Sequence, residues 1–312
     1  MQGPANPAAG AVSPDRGETA AHSMSAEALL TWRRRCLAEG GRPADFDWLL
    51  DVGSGLPWTQ LQRLRLDPSA PVRLNRAPAQ IEQLWHRHLQ TAEPLQYLVG
   101  LCPWRDVDLQ VGPGVLIPRQ ETELLVDLAL ELCSRPPALW ADLGTGSGCL
   151  AVALARLWPE AQGLAVDLSA EALNQAGTNL QAFERAGQVR LLQGSWWEPL
   201  KPWRGSVQLA LANPPYIPTA VWTDLEPVVR DHEPRLALEA GSDGLDAIRA
   251  VVAGAATGLA PGGLLLLEHH HDQSERVSCL LAAAGLIEVQ AHRDLENVNR
   301  FASARRPPSS TP

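Results

Sequence analysis

Short apolar runs recur from residue 139 onward in this 312-residue chain, and helical stretches separate them. The runs are Leu139 to Leu143, Gly163 to Val166, Val189 to Leu192, Val207 to Leu211 and Leu264 to Glu268. Between most of them lie residues of helical period, such as Cys149 to Leu157 and Ala170 to Phe183. Such alternation predicts an α/β fold built on a mostly parallel, doubly wound sheet. Ile287 to Ala291 and Phe301 to Ala304 are placed as a closing antiparallel pair.

In such a sheet ligands bind beyond the carboxyl ends of the strands, so the residues that end each run carry the functional reading. The stretch Leu209-Ala-Leu-Ala-Asn-Pro-Pro-Tyr216 stops at Asn213, because proline cannot continue a ladder. The plain alternative is an Asn-Pro turn after a buried strand. The four residues in order allow more: Asn213 offers a side-chain carbonyl and Pro214 a backbone carbonyl. Together these can accept both hydrogens of a planar NH₂ group, with Tyr216 over its flat face. That suits a flat amide or an amino-purine.

The first run ends in Asp142-Leu-Gly-Thr-Gly-Ser-Gly148 and leads straight into a helix. Glycines let the backbone turn tightly and approach a ligand closely, although nucleotide and dinucleotide sites both use such loops. The second run leads to Asp167, an acid placed to accept both ribose hydroxyls. Capping the next helix is its other possible use, but Ser169 already fills that place. The spacing is G-x-G-x-G, not G-x-G-x-x-G, and together with the Asn213 turn it favours an adenosyl sulfonium over NAD.

Domain organisation follows from changes of period. Residues 1–23, rich in Ala, Pro, Gly and Ser, are expected to be a disordered tail or to precede a start at Met24, the only other methionine. Residues 24–91 read as a helical domain, with helices from Ser25 and over Asp45 to Val52, Pro57 to Leu66 and Ala79 to Leu89. Trp32, Trp48, Trp58 and Trp85 are assigned to its core. Residues 92–118 read as a hairpin linker in which Val107, Leu109 and Val111 alternate with polar residues, Gly112-Pro-Gly114 turns, and Val115-Leu-Ile117 follows. Residues 119–306 form the α/β domain, and 307–312 a short tail.

A net charge of −9 argues against a general polyanion binder. The five cysteines are scattered without C-x-x-C spacing and read as buried thiols of a reducing compartment. No apolar run approaches membrane-spanning length. His269-His-His271 with Asp272 is expected to be a solvated loop and not a metal site, since adjacent residues point in different directions.

The glycine loop, the strand-end acid and the Asn-Pro-Pro-Tyr turn together resemble the class I S-adenosylmethionine-dependent methyltransferases. Further blocks narrow the resemblance to the bacterial HemK-type release-factor glutamine methyltransferases. They are Glu93-Pro-Leu-Gln-Tyr-Leu-Val-Gly100, Gly114-Val-Leu-Ile-Pro-Arg119 with Glu121-Thr-Glu123, Gly194-Ser-Trp-Trp-Glu-Pro-Leu200, Asp231-His-Glu-Pro-Arg-Leu-Ala-Leu238 with Gly241-Ser-Asp-Gly-Leu245, and Pro261-Gly-Gly263. Gln120, Ser195, the His269–His271 insertion, Asn297 and Asn299 depart from the family pattern.

The resemblance implies a Rossmann-like class I methyltransferase sheet with an N-terminal helical domain, and S-adenosylmethionine as cofactor. It implies that Gly144, Thr145, Gly146, Ser147 and Gly148 lie under the methionine part. Asp167 would hold the ribose, with Trp196 beside the adenine and Trp197 as a lesser substitute. Asn213 would touch the cofactor and orient the acceptor amide, framed by Pro214, Pro215 and Tyr216. The implied substrate is the glutamine of a Gly-Gly-Gln loop on peptide chain release factors, docked by the helical domain. A cytoplasmic monomer without direct nucleic-acid contact is expected. An N6-adenine methyltransferase of DNA or RNA, and a non-catalytic factor-binding protein, are the alternatives.

Overall fold

A computed structural model describes residues 22–64 and 66–309. The N-terminal domain opens with β1 (His22–Ser25), followed by α1 (Ala26–Ala38), α2 (Pro43–Ser54), α3 (Trp58–Arg63), β2 (Pro71–Leu74), α4 (Pro78–Thr91) and α5 (Leu95–Val99). Ser25 caps α1, its Oγ accepting from Ala28 N at 3.2 Å. Ala26, Leu29, Trp32 and Cys36 then turn one face of α1 into the core. Phe46 sits between Trp32 and Trp85, edge-on to both rings at 5.6 and 5.0 Å.

Two expectations are corrected here. His22 and Ser23 are not tail: they pair with Leu74 and Arg73 in an antiparallel ribbon of β1 and β2 that helical periodicity alone did not suggest. Residues 1–21 and 310–312 of the expected tails lie outside the described residues. Trp58 is 55% exposed, because α3 is six residues long and buries only Leu61.

The linker contains β3 (Leu101–Trp104) and β4 (Val107–Gln110), paired antiparallel from Leu101↔Gln110 to Trp104↔Val107. The hairpin therefore closes ahead of Gly112, and Val115–Ile117 runs on as a strap without a ladder. Tyr97 donates its hydroxyl to the Val115 carbonyl, and Trp104 Nε1 donates to the Arg119 carbonyl at 2.8 Å.

The larger domain runs through α6 (Glu123–Leu132), β5 (Leu139–Leu143), α7 (Cys149–Leu157), β6 (Gln162–Asp167), α8 (Ala170–Ala182), β7 (Val189–Gln193) and β8 (Val207–Ala212). It continues through α9 (Pro227–Arg230), α10 (Asp246–Gly258), β9 (Leu259–Glu268), α11 (Ser274–Ala283), β10 (Ile287–Arg293) and β11 (Asn299–Arg305). Seven strands form one sheet in the order β10-β11-β9-β8-β5-β6-β7. β11 runs antiparallel to both neighbours, and the other pairings are parallel.

Side chains alternate across the sheet. Trp140, Leu209, Leu211, Leu264 and Leu266 enter the core shared with α6 and α7, while Ala141, Leu143, Ala210, Leu265 and Leu267 enter the one shared with α10 and α11. Of the cysteines, Cys36, Cys102 and Cys149 are buried thiols as expected, but Cys133 is half-buried and Cys279 is exposed. Among the described residues no helix is long and apolar enough to cross a membrane.

Candidate active site

The chain winds outward from β5 through β6 to β7, then returns to place β8 on the other side of β5. The crevice between the carboxyl ends of β5 and β8 is thus the switch point of the sheet. A cavity of about 680 Å³ opens there, lined by Gly144, Gly146, Asp167, Trp196, Asn213 and Pro215 among others.

The glycine loop is held from behind. Gly144 and Thr145 donate backbone N–H groups to the Val166 carbonyl at 2.8 and 2.9 Å. Thr145 Oγ1 donates to Asp142 Oδ2 at 2.6 Å, and the Ser147 carbonyl accepts from Asn179 Nδ2 at 2.8 Å. Burial pushes the Asp142 carboxyl up to about 7. Thr145, Ser147 and Gly148 consequently stand behind the loop and do not line the cavity, whereas Gly144 and Gly146 do. Gly146 has φ +55°, and a Cβ there would meet nothing within 4 Å, so the loop presents bare backbone to open space.

Asp167 Oδ2 accepts from Gly146 N, and Oδ1 from Ser169 N, both at 2.9 Å. Each carboxylate oxygen keeps a lone pair for a vicinal hydroxyl. Burial raises its pKa, opposed by the Ser169 and Gly146 N–H groups. Trp196, at φ +47°, lines the cavity beside Gly144. Trp197 turns away, its Nε1 bonded to the Val251 carbonyl at 2.8 Å. A carboxylate with a lone pair left on each oxygen, an indole and a bare glycine cradle fit an adenosyl group with a short polar tail.

The Asn-Pro-Pro-Tyr turn forms the opposite wall. Asn213 and Pro215 line the main cavity, while Pro214 and Tyr216 face a niche of about 20 Å³ that Asn213, Pro215 and Leu116 share. Among the described residues neither Asn213 Oδ1 nor the Pro214 carbonyl takes a hydrogen bond. Gln273 Nε2 donates to the carbonyls of Tyr216 and Gly244 at 3.0 and 3.1 Å. Gly244 is needed there, since a Cβ would lie 2.3 Å from the Tyr216 carbonyl oxygen. Burial raises the Tyr216 phenol, which stays neutral.

Several site residues escaped the sequence reading. Gly114, Val115 and Leu116 of the strap line the cavity. The strap is clamped by buried Glu233, which accepts from Ile117 N at 3.1 Å and from the Arg119 guanidinium at 2.6 Å. Thr122 and Glu268 stand behind Asn213: Asn213 Nδ2 donates to Thr122 Oγ1 at 2.8 Å, and Thr122 Oγ1 to Glu268 Oε2 at 2.7 Å. The available signal was a carboxylate ending an apolar strand, the same kind that marks Asn213. His269 is buried and so departs from the expected solvated loop, while the His270 and His271 rings lie 4.1 Å apart and His270 Nδ1 contacts Asp272. Among the described residues no group of three or more potential metal ligands converges.

β11 lies between β10 and β9, antiparallel to both, in an otherwise parallel sheet; this is the class I methyltransferase arrangement, and the fold assigns the chain to that class. A family model described as a methyltransferase domain matches residues 141–230. The release factor glutamine methyltransferase of Prochlorococcus marinus is 50% identical over 287 residues, covering 91% of this chain and 98% of its own. Those of Gloeobacter violaceus and Synechocystis are 46% and 40% identical, covering 80% and 90% of this chain and 87% and 97% of theirs. The hMettl16 catalytic domain, solved with the MAT2A 3'UTR hairpin 6, shares the fold at a TM-score of 0.53 with 11% identity, over 75% of this chain and 83% of that one. The chain belongs to the release factor glutamine methyltransferase family.

Proposed function

We propose that this protein methylates the side-chain amide nitrogen of the glutamine in the Gly-Gly-Gln loop of peptide chain release factors, with S-adenosylmethionine as donor. The observation that carries this reading is the pair of carbonyls, Asn213 Oδ1 and Pro214 O, that take no hydrogen bond among the described residues, Asn213 lining the cavity with the glycine loop and Pro214 the adjoining niche at the end of β8. Membership of the family supports the substrate.

An amide nitrogen is a poor nucleophile because its lone pair is delocalised into the carbonyl. Two acceptors on its two N–H groups push electron density back onto nitrogen and fix its direction. S-adenosylmethionine supplies an activated methyl group on a sulfonium that leaves as a neutral thioether. Asp167 would hold the ribose hydroxyls, Trp196 would lie beside the adenine, and the backbone of Gly144 and Gly146 would lie under the methionine portion. Pro215 and Tyr216 wall the acceptor niche. Orientation is the main lever, worth up to ~7–11 kcal/mol for well-aligned reactants. The amide proton leaves after transfer, so the reaction requires no strong base.

Residues 25–91 serve as the docking surface for the protein substrate, and the reaction takes place in the cytoplasm with its translation-factor substrate.

Incubation with methyl-labelled cofactor, a release factor, the same factor with its loop glutamine replaced, and DNA or RNA tests the proposal. Label is expected on the first protein alone. Label on nucleic acid, or undiminished label on the replaced factor, overturns it.

A further inference from the structure

Thr122 stands at the entry to α6, where a threonine side chain ordinarily caps the helix. It makes no capping bond: its own φ and ψ are helical, −60° and −20°, and its hydroxyl points elsewhere. That hydroxyl, on a residue only 2% exposed, joins Asn213 to Glu268. Because β8 and β9 pair in parallel with Ala212 opposite Leu267, Asn213 and Glu268 end neighbouring strands at the same level. Thr122 reaches down between them from above the sheet edge.

The direction of these bonds is determined by counting hydrogens. A threonine hydroxyl has one, and the ionised Glu268 carboxylate can only accept. With Glu268 ionised, Thr122 donates to it and has only lone pairs left for Asn213. The Asn213 amide must present its NH₂ group to Thr122, which turns Oδ1 the other way. A flipped amide would set Oδ1 against the hydroxyl lone pairs and its two donors toward the acceptor site, where they would repel the N–H groups of an incoming glutamine. An asparagine amide has no intrinsic preference between the two orientations, so something outside it must choose.

We infer that Thr122 and Glu268 are positioning residues that lock the Asn213 amide with its carbonyl toward the acceptor NH₂ group. This rests on the reading of Asn213 as an acceptor for the substrate amide. The lock acts through Asn213 alone and touches neither substrate nor cofactor. It makes a specific demand on chemistry: at position 122 a hydroxyl, and at position 268 a group that accepts.

The test uses the full chain, single-turnover methyl transfer to a release factor, calorimetric cofactor affinity and thermal melting. Thr122→Val keeps the shape and loses the hydroxyl. It should slow transfer roughly ten- to a hundredfold, approaching the scale of losing one oriented group from a transition state, with cofactor affinity unchanged. Thr122→Ser should restore most of the rate. In an Asn213→Ala background Thr122→Val should slow transfer no further, because nothing remains to orient. Glu268→Gln keeps an accepting carbonyl and should remain active, whereas Glu268→Leu frees the Thr122 hydrogen to stabilise the flipped amide and should be slow even where it melts no lower. This second pair of variants decides the matter if Thr122→Val does not fold. Normal transfer by both Thr122→Val and Glu268→Leu, with Asn213→Ala slow, overturns the lock and spares the clamp. An equal loss on adding Thr122→Val to Asn213→Ala marks a merely structural role and also overturns it. Normal transfer by Asn213→Ala overturns lock and clamp together.

Discussion

Asp167 shows how far one side chain can be specified by what already holds it. Two backbone N–H groups fix its oxygens, leaving lone pairs directed at the cavity. Asp167→Ala is expected to weaken cofactor binding by roughly 1.5–3 kcal/mol, the loss of charge-assisted hydrogen bonds, read by calorimetry on folded protein. Binding of hydroxyl donors favours the ionised carboxylate, and burial raises its pKa. Affinity should therefore fall as pH drops through that raised value, and Asp167→Asn should remove the pH dependence. Asn213 is probed differently. Asn213→Ala should cut turnover by about 10²–10³-fold with nearly unchanged cofactor affinity, as for an interaction used in reaching the transition state. Asn213→Asp still accepts a hydrogen bond but places a negative charge beside the sulfonium. It should tighten cofactor binding and slow the transfer, and single-turnover rates measured beside cofactor affinity separate the two effects.

The carboxyl ends of two apolar strands carry a buried acid each. Asp142 in β5 and Glu268 in β9 are both pushed up to about 7 by burial, from ordinary values of 3.8 and 4.5. Between those ordinary values and 7 the folded chain binds more protons than the unfolded one, so stability falls as pH rises through that window. Melting curves from pH 4.5 to 7.5 should show this decline, and Asp142→Asn or Glu268→Gln should flatten it; an unchanged slope in both variants would contradict the assignment. At the other end of the chain, β1 is the element that periodicity missed. A chain starting at Met24 loses the pairs His22↔Leu74 and Ser23↔Arg73. At ~0.2–1 kcal/mol per cross-strand pair, it should melt a few degrees lower and methylate as before. Lost activity at a temperature where the shortened chain is folded would assign the ribbon a further role.

At the scale of the whole molecule, the helical domain and the sheet meet where His232 Nε2 contacts the Thr91 carbonyl at 2.7 Å. The strap that covers the cavity runs between them, pinned by Tyr97, Trp104 and Glu233. Charge reversals across the exposed face of residues 25–91 should raise KM for the release factor and leave cofactor affinity unchanged. If no reversal alters release-factor affinity, docking lies elsewhere.

What the sequence determined by itself was local. Short apolar runs marked β5 to β9, and α7 was placed at its observed limits, because strand-length runs and helix periodicity are carried by neighbours in the chain. Asn213 and Asp167 were legible for the same reason, since each follows directly on an apolar run, whereas Trp196 was pointed to only by the family resemblance. The tertiary structure alone decided which strand ends became neighbours. Thr122 lies 91 residues from Asn213 and 146 from Glu268, and no periodicity spans such distances. It also decided that Thr145 and Ser147 face inward while Gly144 and Gly146 face the cavity, because the inward partners, Asp142 and Asn179, are set by how the loop packs on β5 and α8. Which residues carry polar groups is a property of the chain; which of those groups remain free to meet a substrate depends on how the sheet brings distant ends together and pairs the rest.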